Sequence, residues 1–204
     1  MKQEGLRAQV GSRRRAGHYG KPAVIAESQL GQNFDAEAPN QVWVTDITDI
    51  RTHEGWLYLA VVLDLFSRLM IGWSMRSRID SELAVNALLM AVWQRNPKAP
   101  VIVHSDQGCQ YSSHHWQAFL GAHGLVPRMS RRGNCYENTV AESFFQLLKR
   151  ERIRRKTYLD REEARRDALH YIQMFYNPKR RLRYTNDLSP GQFEQQFLNR
   201  LQSA

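Results

Sequence analysis

The chain has 204 residues, enough for one sizeable core with a small appendage. Its composition, 42% hydrophobic and 24% charged, is ordinary for a globular domain, and no apolar run approaches the roughly 18–20 residues that span a bilayer. The polar, basic start lacks the apolar stretch of a secretory signal. Cys109 and Cys135 are too few for a disulfide framework and too far apart for a zinc knuckle. A cytoplasmic protein with no membrane partner is expected.

The net charge of +9 is unevenly placed. Residues 1–21 hold six Lys/Arg against one Glu, and residues 149–183 hold thirteen against five Asp/Glu, which leaves the middle slightly acidic. A basic rim around a carboxylate-bearing centre fits a protein that grips phosphates and coordinates metal; solvated helix faces would give the same pattern.

Residues 1–38 show no sustained period and read as a basic arm or linker, leaving 39–200 as the folded core. From Gln41 the chain turns β-branched and aromatic. QVWVTDITDIRT, WLYLAVVLDLF and LMIGWSM predict three consecutive strands in an antiparallel meander. Ser81 is placed to cap a helix through LAVNALLMAVWQ that stops near Asn96-Pro97. VIVHS predicts a strand, SSHHWQAFLGAHG a helix stopped at Gly124, and VPRMS a fifth, short strand. SRRGNCYEN reads as a loop. TVAESFFQLLKRERI and REEARRDALHYIQMFYN are helical, and Ser189-Pro190 opens a last short helix. This order describes an α/β fold, a mixed five-stranded sheet with helices on its faces.

Three carboxylates stand out. Asp46 sits mid-strand among apolar residues, where a charge needs a partner or a task, a backbone-bonded strand-end Asp being the competing reading. Asp106 follows VIVHS at its carboxyl end, where α/β folds place ligand sites, yet Asp106-Gln107-Gly108 is equally a turn. Glu142 fits a capping box with Thr139, but at about 100° per residue it shares a stripe with Gln146 and Lys149, opposite Val140, Phe144, Leu147 and Leu148. Together the three supply the hard oxygen donors that Mg²⁺ prefers. Two such ions can activate the attacking oxygen and stabilise the leaving one in phosphoryl transfer.

Thirty-five residues separate Asp106 from Glu142, and Lys149 follows seven positions later. That spacing resembles the D,D(35)E signature of retroviral integrases and insertion-sequence transposases. The phrases Trp43–Thr48, His104–Gly108, Ser130–Cys135, Ala141–Phe145 and Phe175–Asn177 resemble one bacterial group, transposases made from two overlapping reading frames whose second frame carries the integrase core. The resemblance implies an RNase H-like fold, Mg²⁺ or Mn²⁺ as cofactor with two ions bound, and cleavage followed by strand transfer without a covalent protein–DNA intermediate. It implies DNA as partner and at least a homodimer. Arg131, Arg132, Asn134 and Lys149 are the expected phosphate contacts. Family members carry helix-turn-helix segments ahead of the core, and EGLRAQVGSRRR resembles the tail of that region. Leu182–Asp187 differs from the family's usual His- and Gly-containing version. Two other readings compete: a non-catalytic DNA-binding or regulatory fragment, and a stand-alone RNase H-like nuclease, which would not need the loop and carboxy-terminal phrases.

Asp49, three positions from Asp46, is expected on the other strand face as a structural or solvent-facing residue, and Asp64 as a turn cap. His104 reads as a packed residue and His114-His115 as a helix start. The five tryptophans, Trp43, Trp56, Trp73, Trp93 and Trp116, are expected in the core.

Overall fold

The computed structural model describes residues 36–106, 108–129 and 139–203. Residues 1–35 of the expected arm, and the loop that carries Arg131, Arg132, Asn134 and Cys135, lie outside these residues; of the arm's last three residues, Ala36 is buried in the core rather than part of a linker. Five strands, β1 (Val42–Thr52), β2 (Gly55–Asp64), β3 (Met70–Arg76), β4 (Val101–Ser105) and β5 (Leu125–Met129), form one sheet in the order β3-β2-β1-β4-β5. The β1–β2–β3 meander is antiparallel, β4 runs parallel to β1, and β5 runs parallel to β4. Pro127 is tolerated in β5 because that strand lies at the edge of the sheet.

Each sheet face carries its own apolar core. On one, Trp43, Ala60, Val62 and Ile71 pack under α1 (Ser81–Arg95) and α2 (His114–Ala122). On the other, Val44, Ile50, Leu59 and Val61 pack under α3 (Thr139–Glu151) and α4 (Arg161–His170). The alternation of β1 and β2 between these cores is the period of two that the strand reading relied on. Gly72 lets α1 settle close to β3, since a Cβ there would lie 2.2 Å from the Ala87 carbonyl oxygen. Among the described residues no helix is long and apolar enough to cross a membrane.

The element boundaries differ from expectation in a few places. Asp80, not Ser81, caps α1, because it is extended and its Oδ1 accepts the Leu83 N–H at 2.9 Å. Asn96 (φ 41°) and Gly124 (φ 65°) end α1 and α2 in the left-handed region, as their positions predicted. The second long carboxy-terminal helix is not uniform: α4 widens into π-helical turns over Tyr171–Tyr176 before a single turn, α5 (Asn177–Lys179). The final helix, α6 (Pro190–Gln202), is longer than the short one expected, and Ser189 and Gln192 close a capping box at its start.

Trp43 and Trp116 are fully buried and Trp73 packs partly against the core, but Trp56 is 46% and Trp93 77% exposed, contrary to expectation. Trp93 sits in the last turns of α1, past its buried stripe, and Trp56 lies beside the β1–β2 turn, so neither has a second layer to pack against.

Candidate active site

The parallel β1–β4 pair builds the site from the sheet outwards. Val44 pairs with His104, and Asp46 and Asp106 each lie two residues beyond that pair. Neighbouring strands run about 4.8 Å apart and side chains repeat with period two. Asp46 therefore continues the face of Val44, toward α3, and Asp106 continues from the residue beside it. Asp46 Oδ1 accepts its neighbour's Ile47 N–H at 2.7 Å, and Asp106 Oδ1 accepts the Gly108 N–H at 3.0 Å. The backbone-bonding readings of both residues are thus real, and these same bonds orient the carboxylates.

On the other face of β1, under α1 and α2, Tyr111 is wholly buried, its Oη 3.4 Å from Thr45 Oγ1. Its pKa stands well above the ordinary value, first through burial and then through the negative charges of Asp46 and Asp106, against the lowering effect of the Thr45 bond. Both carboxylates therefore act on one buried hydroxyl, and that hydroxyl stays protonated. Sequence reasoning missed Thr45 and Tyr111. The signal available was their position, each inside or just after a phrase that carries an aspartate.

Glu142 is exposed in the first turn of α3, opposite the buried Ala141, Phe144, Phe145 and Leu148. The expected core stripe is therefore rotated slightly, with Val140 and Leu147 only partly buried and Phe145 taking part. Thr139 lies within α3 rather than ahead of it as a cap. Among the described residues no three His, Cys, Asp or Glu side chains stand close enough to hold a metal ion together. The register places Asp46 and Asp106 on neighbouring parallel strands, each two residues past the Val44–His104 pair, and Glu142 in the first turn of α3.

Lys149, two turns past Glu142 on α3, reaches β1. Its Nζ lies 3.4 Å from Asp49 Oδ1, and further along α3's direction Ile153 lines the same groove as Thr52 and His53. Seven residues back along the helix from Lys149 to Glu142 is about 10 Å, and three residues back along the strand from Asp49 to Asp46 is also about 10 Å. Asp49, expected to be structural or solvent-facing, is half-exposed and serves as the partner of Lys149.

Asp64 caps the turn after β2 as expected, accepting the N–H of Phe66 at 2.9 Å, and it also accepts that of Asn40 at 2.8 Å. The sequence did not show that Arg95 sits 3.8 Å away and that Glu194 of α6 pairs with the same guanidinium. His104 is buried, and His114 and His115 are exposed at the start of α2, each as expected.

The integrase core domain profile matches residues 36–135, and a second integrase core domain profile matches residues 142–198. Transposase InsF for insertion sequence IS3A of Escherichia coli (strain K12) is 46% identical over 199 residues, 97% of this chain and 69% of that protein. The transposase for insertion sequence element IS904 of Lactococcus lactis subsp. lactis (strain IL1403) is 44% identical over 186 residues, 90% of this chain and 74% of the other. The simian T-cell lymphotropic virus intasome, solved in complex with PP2A regulatory subunit B56 gamma, superposes with a TM-score of 0.65 at 20% identity, over 78% of this chain and 56% of that one. The HTLV-2 integrase catalytic core domain, solved with magnesium, superposes with a TM-score of 0.60 at 18% identity, over 78% of this chain and 98% of that one. The mixed sheet is thus the RNase H-like sheet of the retroviral integrase cores. By its identity to transposases of this kind over nearly its whole length, the chain belongs to the integrase core family, as the catalytic core of an insertion-sequence transposase.

Proposed function

We propose that this core cuts transposon-end DNA and transfers the cut strand to target DNA, with Asp46, Asp106 and Glu142 as the carboxylates that hold one or two divalent ions, Mg²⁺ or Mn²⁺. The observation that supports the reading is that Asp46 and Asp106 each follow the last register pair of two parallel neighbouring strands, Val44 with His104, by two residues. Two such carboxylates are hard oxygen donors with room left for water and phosphate, a set that suits magnesium. When bound, the ions polarise the phosphate and lower the pKa of the attacking water or hydroxyl.

The protein's own groups do the holding. The Ile47 and Gly108 amides fix the two aspartates, and the buried, neutral Tyr111 adds no charge behind them. Glu142 supplies the third carboxylate from α3 as DNA and metal assemble on the site. Lys149 exchanges Asp49 for a phosphate, and Arg131, Arg132 and Asn134 contact phosphates around the cut. Acting on two element ends calls for at least a dimer.

The test uses a duplex carrying the inverted repeat that flanks the chain's own gene, with Mn²⁺. Asp106→Asn and Glu142→Gln should bind the duplex like the wild type but cleave it at least ~100-fold more slowly. Asp106→Asn cleaving at the wild-type rate would overturn the reading. A wild-type chain that binds without cutting would instead support a regulatory DNA-binding role.

A further inference from the structure

A groove of about 640 Å³ opens beside the β1–β2 turn, between that turn and the carboxy-terminal end of α3. Arg51, Lys149, Arg154 and Lys156 line it, against the single carboxylate of Asp49. Arg51 and Arg154 are exposed and have no ion-pair partner among the described residues. Lys149 and Lys156 are held by Asp49 and Asp167, each at 3.4 Å. The half-exposed Trp56 completes the wall.

The wall beside Trp56 is held in place. Arg161 donates from Nε to the Trp56 carbonyl at 3.0 Å and pairs with Glu54, while the His53 N–H donates to the Tyr158 carbonyl at 3.0 Å. Gly55 takes φ 126°, which lets the turn close tightly enough for Thr52 Oγ1 to donate to its carbonyl at 2.7 Å. Cations on a fixed wall meet a polyanion with little ordering cost.

We propose that this groove binds the sugar–phosphate backbone of duplex DNA, holding the stretch next to the segment that reaches the aspartate pair. The proposal rests on the reading of that pair as acting on DNA. Lys149 links the two, since it lines the groove and lies about 10 Å along α3 from Glu142, roughly three base pairs of duplex. Charge dominates the lining, and among the described residues that line it Trp56 is the large aromatic. A site for single strands would need several stacking platforms, so the lining favours a duplex backbone. Trp56 gives the sugars an apolar surface, while Arg51 and Arg154 contact phosphates and release counterions as they do so.

The experiment measures binding of a labelled 20-bp duplex of random sequence by the full chain, by Arg51→Gln/Arg154→Gln and by Trp56→Ala, across a salt series. The double variant should bind ~10-fold more weakly and lose about 1.8 from the log–log salt slope, 0.9 for each phosphate contact. Trp56→Ala should bind a few-fold more weakly with an unchanged slope. A double variant with the wild-type affinity and slope overturns the proposal. So does one whose affinity for a poly-glutamate peptide falls by the same factor, because that marks a general acidic-partner surface. Should the double variant fail to melt cooperatively, Arg154→Gln alone, with a slope change of about 0.9, decides. Cleavage is scored separately with Asp106→Asn. If that variant cleaves normally while the groove variants bind poorly, the carboxylate reading fails and the groove stands; the reverse pattern fails the groove alone.

Discussion

Asp64 is fully buried, yet it accepts two backbone N–H bonds and faces Arg95. Burial raises its pKa above the ordinary 3.8, with Glu194 adding to the rise, while the Asn40 amide, Arg95 and the Phe66 amide pull it down. The folded state therefore holds this proton at a pH where the unfolded chain has released it. The stabilising contribution is full below the unfolded pKa and is lost as pH rises through the folded one. Asp64→Asn should lower stability by about 1–3 kcal/mol through one mismatched buried acceptor. Because the variant lacks the titration, its deficit relative to wild type should narrow as pH rises from about 4, which denaturant melts at several pH values would show. A deficit that widened with pH would mean that Asp64 is stabilised as the anion. At this scale the sequence made Asp46, Asp106 and Asp64 legible, because a carboxylate inside or ending an apolar strand needs a reason. It hid Tyr111, Arg95 and Glu194, whose roles depend on side chains that meet across loops and across 99 positions of chain.

The helices and strands came through more fully than their joins. Strand alternation and helix caps are local, so the meander and the stops at Asn96 and Gly124 could be read from neighbours in sequence, while the parallel pairing of β1 with β4 could not. The π-helical turns could not, since an i→i+5 bond leaves no mark on a pattern of period 3.6. Nor could the purpose of Phe175-Tyr176-Asn177. Asn177 accepts the Met70 N–H and donates to the Met70 carbonyl, each at 2.9 Å, while the Tyr176 hydroxyl donates to the Arg68 carbonyl at 3.1 Å. The motif thus fastens the end of the π-helical stretch to the start of β3. Asn177→Ala should cost about 2 kcal/mol, about 1 for each bond, and lower the melting temperature by about 4–8 °C. Loss of amide-exchange protection should begin at Met70. An unchanged melting temperature would show that water replaces the clamp without cost.

For the whole molecule, the basic charge and the paired carboxylates are in tension until metal and DNA arrive. Binding of magnesium to the folded state alone should stabilise it by about 1.4 kcal/mol at ten times the dissociation constant. That corresponds to a rise of about 3–6 °C in melting temperature. Asp46→Asn/Asp106→Asn should show no such rise when magnesium chloride is compared with sodium chloride at matched ionic strength. An equal rise in wild type and variant would place the ion elsewhere. The fold class was legible because order and spacing of elements are carried by local pattern. How closely Glu142 approaches the two aspartates was not, because spacing in sequence does not give the distance between a helix and the sheet it covers.

β1 is 11 residues long and its parallel partner β4 only five. Beyond Val44, then, it has a paired strand on one side only among the described residues, apart from the single bridge from Thr52 to Tyr158. A bare strand flank of this length inside a sheet is a template on which another chain could add a strand. What lies along it is α3, joined by the contact of Lys149 with Asp49. The helix that presents Glu142 is therefore also a guard on solubility. Changes that loosen it should announce themselves as precipitate or fibrils before they register as lost turnover, and genes that keep the fold soluble must keep this helix even where transposition itself has been abandoned.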